Sequence, residues 1–236
     1  MTAASAKPLF RAMKGKPAED VRQADLLPMA RAKAADRRGA DFYPTGQPEA
    51  IRALFARDGA RIAAAGGGTV WENAVGDGAL AREIQAMGLT CIGSDIVDRG
   101  WPGVMLRSFY DFTDSPAGAI ITNPPFCEIN ARDGRGLWLR HTLALPGWRY
   151  CALLLSWDWP AARQNGLGDL LDRQPFSYCY LMRWKLDFTG EGSPPQRNAW
   201  FVWDRDWTGP EPAFRWLDRV DGRQGELLAL DGGQAE

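Results

Sequence analysis

Short apolar runs alternate with amphipathic segments along most of the chain. The apolar runs predict six strands, at residues Thr69–Glu72, 90–94, Ala119–Thr122, Tyr150–Ser156, 176–184 and 199–203. The run at Tyr150–Ser156 is almost continuously apolar, which is typical of a parallel strand that is covered on both faces.

Two segments repeat apolar residues at helical spacing. One begins at Pro48, which suits the first turn of a helix, and we expect this helix to end at Gly59. The other follows the first strand and carries Leu80, Ile84 and Met87 on one face. Strands that alternate with helices in this way predict an α/β fold with an open sheet.

The composition is that of an ordinary globular domain and excludes several classes of protein. The chain has 236 residues, of which 45% are hydrophobic and 24% charged. Its longest apolar run is too short to span a bilayer, and its first residues lack the apolar core of a secretory signal. The four cysteines, Cys91, Cys127, Cys151 and Cys179, form no CxxC pair, which indicates free thiols in a cytoplasmic protein. His141 is the single histidine, so we expect neither a histidine metal site nor a Ser-His-Asp triad.

Charge is distributed unevenly along the chain. Residues 1–40 contain nine basic and four acidic side chains, whereas the remaining residues contain 19 basic and 25 acidic ones. We therefore expect a basic, partly disordered arm at 1–40, one folded domain at 41–220 and a flexible tail at 221–236. The arm is either a solvated leader or a contact for polyanions such as nucleic acid.

The residues that end the first two predicted strands are candidate ligand groups, because the ligand crevice of a parallel sheet lies beyond the carboxyl ends of its strands. The first strand ends at Glu72 and continues into a loop with Gly76 and Gly78, whose backbone can approach a ligand closely. The second strand is followed by Asp95, where a carboxylate can accept hydrogen bonds from both hydroxyls of a ribose, or can cap a helix. Together these features indicate an adenosine-containing ligand. The loop has no Lys-Ser/Thr pair, which argues against an NTPase.

The tetrapeptide Asn123-Pro124-Pro125-Phe126 follows the third predicted strand. Two prolines fix two backbone angles and remove two N–H donors, so the Asn123 amide oxygen and the Pro124 carbonyl are held as acceptors. An amino group bound by both acceptors would turn its lone pair towards an electrophile, and Phe126 offers a flat face to the ring that carries this amino group. The alternative is a structural turn at the end of a strand.

These motifs resemble those of the S-adenosylmethionine-dependent methyltransferases that act on exocyclic amino groups, especially the short adenine-N6 DNA methyltransferases of phages and prophages. The resemblance covers about residues 41–207. It implies a class I, Rossmann-like α/β fold with a mostly parallel seven-stranded sheet and helices on both faces, and S-adenosyl-L-methionine as the cofactor. In that family the tetrapeptide is catalytic, which implies this role for Asn123, Pro124, Pro125 and Phe126.

The family's cofactor-binding motifs match residues Phe42, Tyr43, Pro44, Thr45, Glu72, Gly76, Asp77, Gly78, Asp95, Ile96, Asp111, Phe112 and Asn123. The resemblance implies that the methionine part of the cofactor lies by Thr45 and Gly76, the ribose by Asp95, and the adenine by Asp111 and Phe112. Gly46 and Asn73 stand where family members often have proline, which implies looser loops at these two places.

The resemblance implies methyl transfer to adenine N6 of DNA, with the target base flipped out of the helix. No uncommitted block of roughly 100 residues is left for a target-recognition domain, so we expect low sequence specificity and an affinity that comes from phosphate contacts. The alternatives are an RNA base, cytosine N4 or a protein glutamine as the acceptor, or a nucleic-acid-binding protein without catalysis. The basic arm favours a nucleic acid over glutamine.

Nine of the eleven tryptophans follow residue 130. Trp138, Trp157, Trp159 and Trp184 are candidates for stacking on bases, and packing in the core is the alternative for each of them.

Overall fold

Eight strands form one sheet with helices on both faces in the computed structural model, which describes residues 45–129, 136–161, 167–188 and 197–220. These residues belong to a compact unit that spans residues 40–236. The strands are β1 (Thr69–Glu72), β2 (Thr90–Asp95), β3 (Met105–Leu106), β4 (Ala119–Thr122), β5 (Tyr150–Ser156), β6 (Tyr178–Met182), β7 (Asn198–Asp204) and β8 (Ala213–Leu217). The helices are α1 (Glu49–Gly66), α2 (Ala79–Ala86), α3 (Phe126–Ile129), α4 (Leu137–Ala144) and α5 (Leu167–Arg173), with 3-10 turns at Phe109–Asp111 and Trp159–Ala161.

The strand order is β3-β2-β1-β4-β5-β7-β6-β8, and every neighbouring pair is parallel except the two that involve β7. The chain passes from β1 outward to β2 and β3, and then returns to place β4 on the other side of β1. A crevice opens where the strand order reverses in this way, at the carboxyl ends of β1 and β4.

Alternate residues of the central strands point to opposite faces of the sheet and belong to two separate hydrophobic cores. Val70 and Ile121 face the core under α1 and α2, whereas Trp71 and Ile120 face the core under α4 and α5. This double burial explains why these strands are apolar along their whole length. Within the described residues, no helix is long and apolar enough to cross a lipid bilayer.

The fold class predicted from the sequence is confirmed, with one strand more than the seven expected. β1, β4 and β5 have the predicted bounds, whereas β6 is shorter than predicted and β7 is one residue longer at each end. The edge strands β3 and β8 were not predicted.

The predicted end of the first helix at Gly59 is wrong. α1 continues to Gly66, and Gly67 ends it in the left-handed conformation at φ 56°. Ile62 and Ala65 extend the buried face beyond Gly59, so tertiary packing outweighs the poor helix propensity of one glycine.

All four cysteines are free, as the sequence indicated, and Cys151 and Cys179 are buried. Burial raises the pKa of Cys179 to about 11. A thiol of this kind packs as a small apolar group.

A partly buried carboxylate joins α1 to the sheet. One oxygen of Asp58 accepts a hydrogen bond from the Tyr150 hydroxyl at 2.8 Å, and the other accepts one from the Tyr180 hydroxyl at 3.0 Å. Burial raises the pKa of Asp58, and the two hydroxyl donors oppose that shift. The helix is thereby fixed to β5 and β6 at once.

We expect Tyr150→Phe to lower the free energy of unfolding by about 1–3 kcal/mol near neutral pH, because a carboxylate then loses a hydrogen bond. The variant removes a donor that lowers the pKa of Asp58, so this pKa rises further in the folded state. A raised carboxyl pKa costs stability as the pH rises through it, and the loss should therefore be larger at neutral than at mildly acidic pH. Urea unfolding at both pH values measures this.

Tyr178→Phe is the matched control, because Tyr178 stacks on Tyr180 at 5.3 Å but donates no hydrogen bond to another described residue. Equal losses in the two variants would contradict the assigned role of Asp58.

Candidate active site

The carboxyl ends of β1, β2 and β4 border a cleft of about 350 Å³. Four short segments and two single residues line it. The segments are Glu72–Asp77 with Ala79 and Leu80, Asp95 with Ile96 and Arg99, Arg107–Tyr110, and Asn123–Glu128, and the single residues are Thr45 and Trp138.

The glycine loop after β1 turns through two left-handed positions. Gly76 has φ 56° and Gly78 has φ 84°, and the Gly78 N–H donates to the Val75 carbonyl at 2.8 Å. Side chains other than glycine rarely adopt this backbone, so the glycines permit the tight turn. The turn leads directly into α2.

The indole ring of Trp101 packs against this loop. A Cβ atom on Gly78 would lie 2.0 Å from Trp101 Cε3, and one on Gly93 would lie 2.7 Å from Trp101 Nε1. The indole therefore packs against the bare backbone of the loop and of β2. Trp101 was not predicted, because nothing in its own segment of the sequence indicates a contact with Gly78 or Gly93.

The Asp95 carboxylate joins the end of β2 to the glycine loop. Its Oδ2 accepts a hydrogen bond from the Gly76 N–H at 2.9 Å, and its Oδ1 accepts one from the Val97 N–H at 3.0 Å. A carboxylate has about four acceptor positions, so each oxygen keeps one for a ligand in the cleft. Both roles considered from the sequence, a structural one and a ligand-binding one, are compatible with this geometry.

Glu72 is the most deeply buried acid of the cleft, at 2% exposure. Burial raises its pKa well above the ordinary value, and the negative charges of Asp77 and Asp95 add to that shift. Glu72 Oε2 has no hydrogen-bond partner among the described residues. Such a group is costly unless a ligand supplies a donor or a positive charge.

Asp77 stabilises the start of α2. Its Oδ1 accepts a hydrogen bond from the Ala79 N–H at 3.1 Å, and its carbonyl accepts one from Arg82 Nη2 at 2.6 Å. The first of these contacts satisfies one of the free N–H groups of the helix terminus.

The Asn-Pro-Pro-Phe segment begins directly after β4. Asn123 Nδ2 donates a hydrogen bond to Thr45 Oγ1 at 3.1 Å, and Thr45 is 6% exposed. The Pro125 carbonyl accepts from the Glu128 N–H at 3.0 Å, and this starts α3 at Phe126. Because Nδ2 is the donor to Thr45, Oδ1 is the acceptor end of the amide.

An aromatic wall stands beside this segment. Phe109 and Trp138 stack at 4.1 Å between ring centroids, and the Tyr110 hydroxyl donates to Glu128 Oε2 at 2.7 Å. Burial, and then the hydrogen bond to Glu128, raise the pKa of Tyr110. Trp138 is a candidate from the sequence for stacking on a base, but it is 5% exposed and packs in the core, and Phe109, Tyr110 and Glu128 were not predicted.

The structure brings most of the predicted site residues to one cleft. The predicted residues that line it are Thr45, Glu72, Gly76, Asp77, Asp95, Ile96, Asn123, Pro124, Pro125 and Phe126. Gly78 lies in the same loop against Trp101. Phe42, Tyr43 and Pro44 lie outside the described residues. The roles of all these residues in binding or catalysis stay predictions.

Asp111 and Phe112 do not line the cleft. The Phe112 ring is 7% exposed and packs in the core, 4.7 Å from the Trp71 ring, with the Arg107 guanidinium 4.5 Å from its centroid. The Asp111 carbonyl accepts a hydrogen bond from Arg107. Ser108 and the first two residues of the 3-10 turn, Phe109 and Tyr110, lie at the cleft instead.

No protein-family model matches the sequence, and no curated protein matches it. Among solved structures, a Listeria monocytogenes protein classed as a class I S-adenosylmethionine-dependent methyltransferase matches with a TM-score of 0.52 and 11% identity, over 94% of this chain and 82% of that one. The chain has the class I methyltransferase fold. The methyltransferase subunit of a type I restriction-modification system from Streptococcus thermophilus matches with a TM-score of 0.49 and 11% identity. That match covers 89% of this chain and 56% of the subunit, so this chain spans about half the subunit's length.

The packing of Trp101 against the glycine loop after β1 predicts the effect of adding one methyl group to Gly78. Gly78→Ala should lower the free energy of unfolding by about 1–2 kcal/mol for the left-handed backbone, and by about 1–3 kcal/mol more for the clash with Trp101. Gly88→Ala is the matched control, because Gly88 has φ 82° but no atom within 4 Å of the added Cβ. Urea unfolding measures both variants, and equal losses would show that Trp101 does not restrain the loop.

Proposed function

We propose that this protein transfers a methyl group from S-adenosyl-L-methionine to an exocyclic amino group of a nucleic-acid base, with adenine N6 in DNA as the acceptor. One observation supports this most strongly. The acidic, glycine-lined end of the cleft and the Asn123 amide border the same cavity, as the transfer of a group between two bound molecules requires.

The residues of the cleft fit this cofactor. S-adenosylmethionine presents an ammonium group and two ribose hydroxyls as donors, and the cleft offers the Glu72 oxygen without a partner and the remaining acceptor positions of Asp95. The backbone turn at Gly76 allows a ligand to approach the loop closely. We assign the ammonium group to the Glu72 side and the ribose to Asp95. When bound, the cofactor supplies an electrophilic methyl group on a sulfonium.

Ile96 is the candidate for contact with the adenine of the cofactor. It lines the cleft next to Asp95 and is 68% exposed, which is a high value for an isoleucine. A flat ring that covered it would remove apolar surface from water. Asp111 and Phe112, to which the resemblance assigns this contact, are not among the residues that line the cleft.

The acceptor amino group would be held by two oxygens, Asn123 Oδ1 and the Pro124 carbonyl. The hydrogen bond from Asn123 to Thr45 fixes the amide plane, and two prolines fix the backbone. Both N–H bonds of the amino group then point at acceptors, and the nitrogen lone pair faces the other end of the cleft. Phe126 provides flat apolar surface for the base, beside the aromatic wall of Phe109 and Trp138, whose rings are almost fully buried.

The two acceptors also stabilise the positive charge that develops on the amino nitrogen during transfer. Acceptors that are already oriented need no reorganisation at that moment. A strong general base is therefore not required, and the proton can leave to water after transfer.

The choice of a nucleic acid as substrate rests on charge. The segment 1–40 is basic, although it lies outside the described residues, and basic segments contribute phosphate contacts that do not depend on sequence. We infer low sequence specificity on the same ground. RNA bases and cytosine N4 present the same amino chemistry, and the acceptor test below distinguishes them.

Asp95→Ala should weaken the binding of S-adenosylmethionine by about 1–3 kcal/mol, because the ribose hydroxyls and the Gly76 N–H both lose an acceptor. Isothermal titration calorimetry measures the affinity. Asp98→Ala is the control, since the exposed Asp98 carboxylate also accepts a backbone hydrogen bond, from Gly100 at 2.8 Å, but does not line the cleft. Equal affinities in the two variants would remove Asp95 from the binding site.

Asn123→Ala should abolish methyl transfer and leave the affinity for the cofactor nearly unchanged, because the amide oxygen is assigned to the acceptor base. Transfer of labelled methyl groups to DNA, RNA and protein substrates measures the rate. A variant that keeps more than about a tenth of the wild-type rate would have lost less than ~1.4 kcal/mol of barrier, which is too little for this role.

A further inference from the structure

The edge of the sheet that borders the cleft continues beyond β4, along β5, β7, β6 and β8. β5, β6 and β8 run in the same direction as β4, so their carboxyl ends lie at the same edge as Asn123. β7 is antiparallel, so its first residue lies there too. The residues at these four strand ends carry exposed aromatic rings and basic side chains.

A connected series, which we name the aromatic–basic row, consists of four residues at or next to this edge, Trp157, Arg197, Arg183 and Trp216, and of Phe214, which lies further back along β8. The backbone N–H of Trp157 donates to the backbone carbonyl of Arg197 at 3.1 Å. Arg197 Nη1 in turn donates to the backbone carbonyl of Arg183 at 3.4 Å. The Arg183 guanidinium lies 5.3 Å from the centroid of Trp216, whose ring meets Phe214 edge-on at 5.0 Å. The row crosses β5, β7, β6 and β8 in order, a span of about 14 Å at the usual spacing of strands.

The aromatic members of the row are unusually exposed. Trp157 is 48% exposed, Trp216 is 53% and Phe214 is 44%. Among the tryptophans that the structure describes, Trp157 and Trp216 are the exposed ones, whereas Trp71, Trp200 and Trp203 are buried in the cores. Large apolar rings gain nothing from contact with water, so an exposed group of them indicates a binding surface.

The charge of the same segments identifies the partner. Residues 157–158, 183–188, 197 and 213–219 contain five basic side chains, Arg183, Lys185, Arg197, Arg215 and Arg219, against three acidic ones, Asp158, Asp187 and Asp218. All residues after 40 taken together have an excess of acids, 25 against 19. These segments therefore combine an excess of basic side chains with exposed aromatic rings. This combination complements a polyanion that itself carries flat rings.

We propose that the aromatic–basic row binds an unpaired nucleic-acid strand, with bases stacked on Trp157 and Trp216 and phosphates beside Arg183 and Arg197. Stacking platforms between cations are the means by which proteins hold single strands without reading their sequence. The span of about 14 Å corresponds to about four nucleotides at the rise of a stacked strand. This inference rests on the proposed function only in taking the substrate to be a nucleic acid.

The position of the row also suits the presentation of a base to the cleft. β5 lies next to β4, whose end carries Asn123, so Trp157 stands on the strand adjacent to the acceptor site. A strand held along the row would place its neighbouring nucleotide towards Asn123.

The test compares two fluorescent ligands of equal length and charge, a short oligothymidylate and the same strand without bases. Trp157→Ala and Trp216→Ala in the full chain should each weaken the binding of the oligothymidylate at least about fivefold, the lower end of the range for one stacked base. Affinity for the baseless strand should change by less than about twofold, because it makes phosphate contacts alone. Fluorescence anisotropy measures both.

Arg183→Ala provides an independent readout. It should weaken both ligands and reduce the slope of log affinity against log salt by about 0.7, the value for one phosphate contact of a single strand. Arg173→Ala is its matched control, since both arginines are exposed and each forms an ion pair with an exposed aspartate, Asp218 and Asp169 respectively. Met87→Ala controls for the loss of an exposed apolar side chain outside the row, at the end of α2.

Three results would overturn the inference. The first is an unchanged affinity for the oligothymidylate in Trp157→Ala and Trp216→Ala, and also in Trp216→Leu. The leucine variant removes the aromatic ring but keeps an apolar side chain on the edge strand β8. The second is an equal loss for both ligands in the tryptophan variants, which would mean that the rings bind no base. The third is a dimer of the wild-type protein that Trp216→Ala dissociates in sedimentation, which would make this face an interface between copies of the chain.

The same preparations separate this inference from the proposed function. A protein that binds the oligothymidylate through the row but transfers no methyl group would contradict the proposed function and support the row. A protein that transfers methyl groups to DNA, and whose row variants bind the strand normally, would contradict the row alone.

Discussion

The parallel pairing of β1 with β2 on one side and β4 on the other is the constraint on which the site depends. It brings three strand ends to one place, and a polar residue lies at or directly after each end: Glu72, Asp95 and Asn123. The reversal of the strand order at β1 prevents the connections from covering this edge, so a crevice stays open there. The backbone pairing that stabilises the sheet therefore also collects the chemical groups of the cleft.

The cleft has two chemically different ends. One end is acidic and ordered by backbone hydrogen bonds to Asp95, with the Glu72 carboxyl held at a raised pKa by burial and by neighbouring charge. The other end is built of an amide, two prolines and aromatic rings, and the two oxygens assigned to the acceptor amino group are neutral. An acidic end suits a ligand with cationic and hydroxyl donors, whereas a neutral acceptor pair suits an amino group that must keep its lone pair available. The two ends thus favour two different molecules, as the proposed methyl transfer requires.

The central strands and the strand-end residues could be predicted from the sequence because both leave local signals. β1, β4 and β5 are buried on both faces, which makes them apolar throughout, and a polar residue directly after such a run lies at the sheet edge. Trp101 could not be predicted, since its contact with Gly78 depends on how two loops meet. Phe112 was assigned to the cleft from a resemblance, but its ring packs against Trp71 instead. β8 alternates exposed aromatic and basic side chains and ends at the buried Leu217, a pattern that carries little sign of a core strand.

The central claim, that Asn123 directs methyl transfer to an exocyclic amino group, is tested most directly by identifying the methylated atom. The full chain is incubated with S-adenosylmethionine that carries a deuterated methyl group and with DNA, and the DNA is then digested to nucleosides for mass spectrometry. The account predicts a deuterated methyl group on N6 of deoxyadenosine, and none with the Asn123→Ala variant. A methyl group on a ring carbon, or an equal yield from the variant, would contradict it.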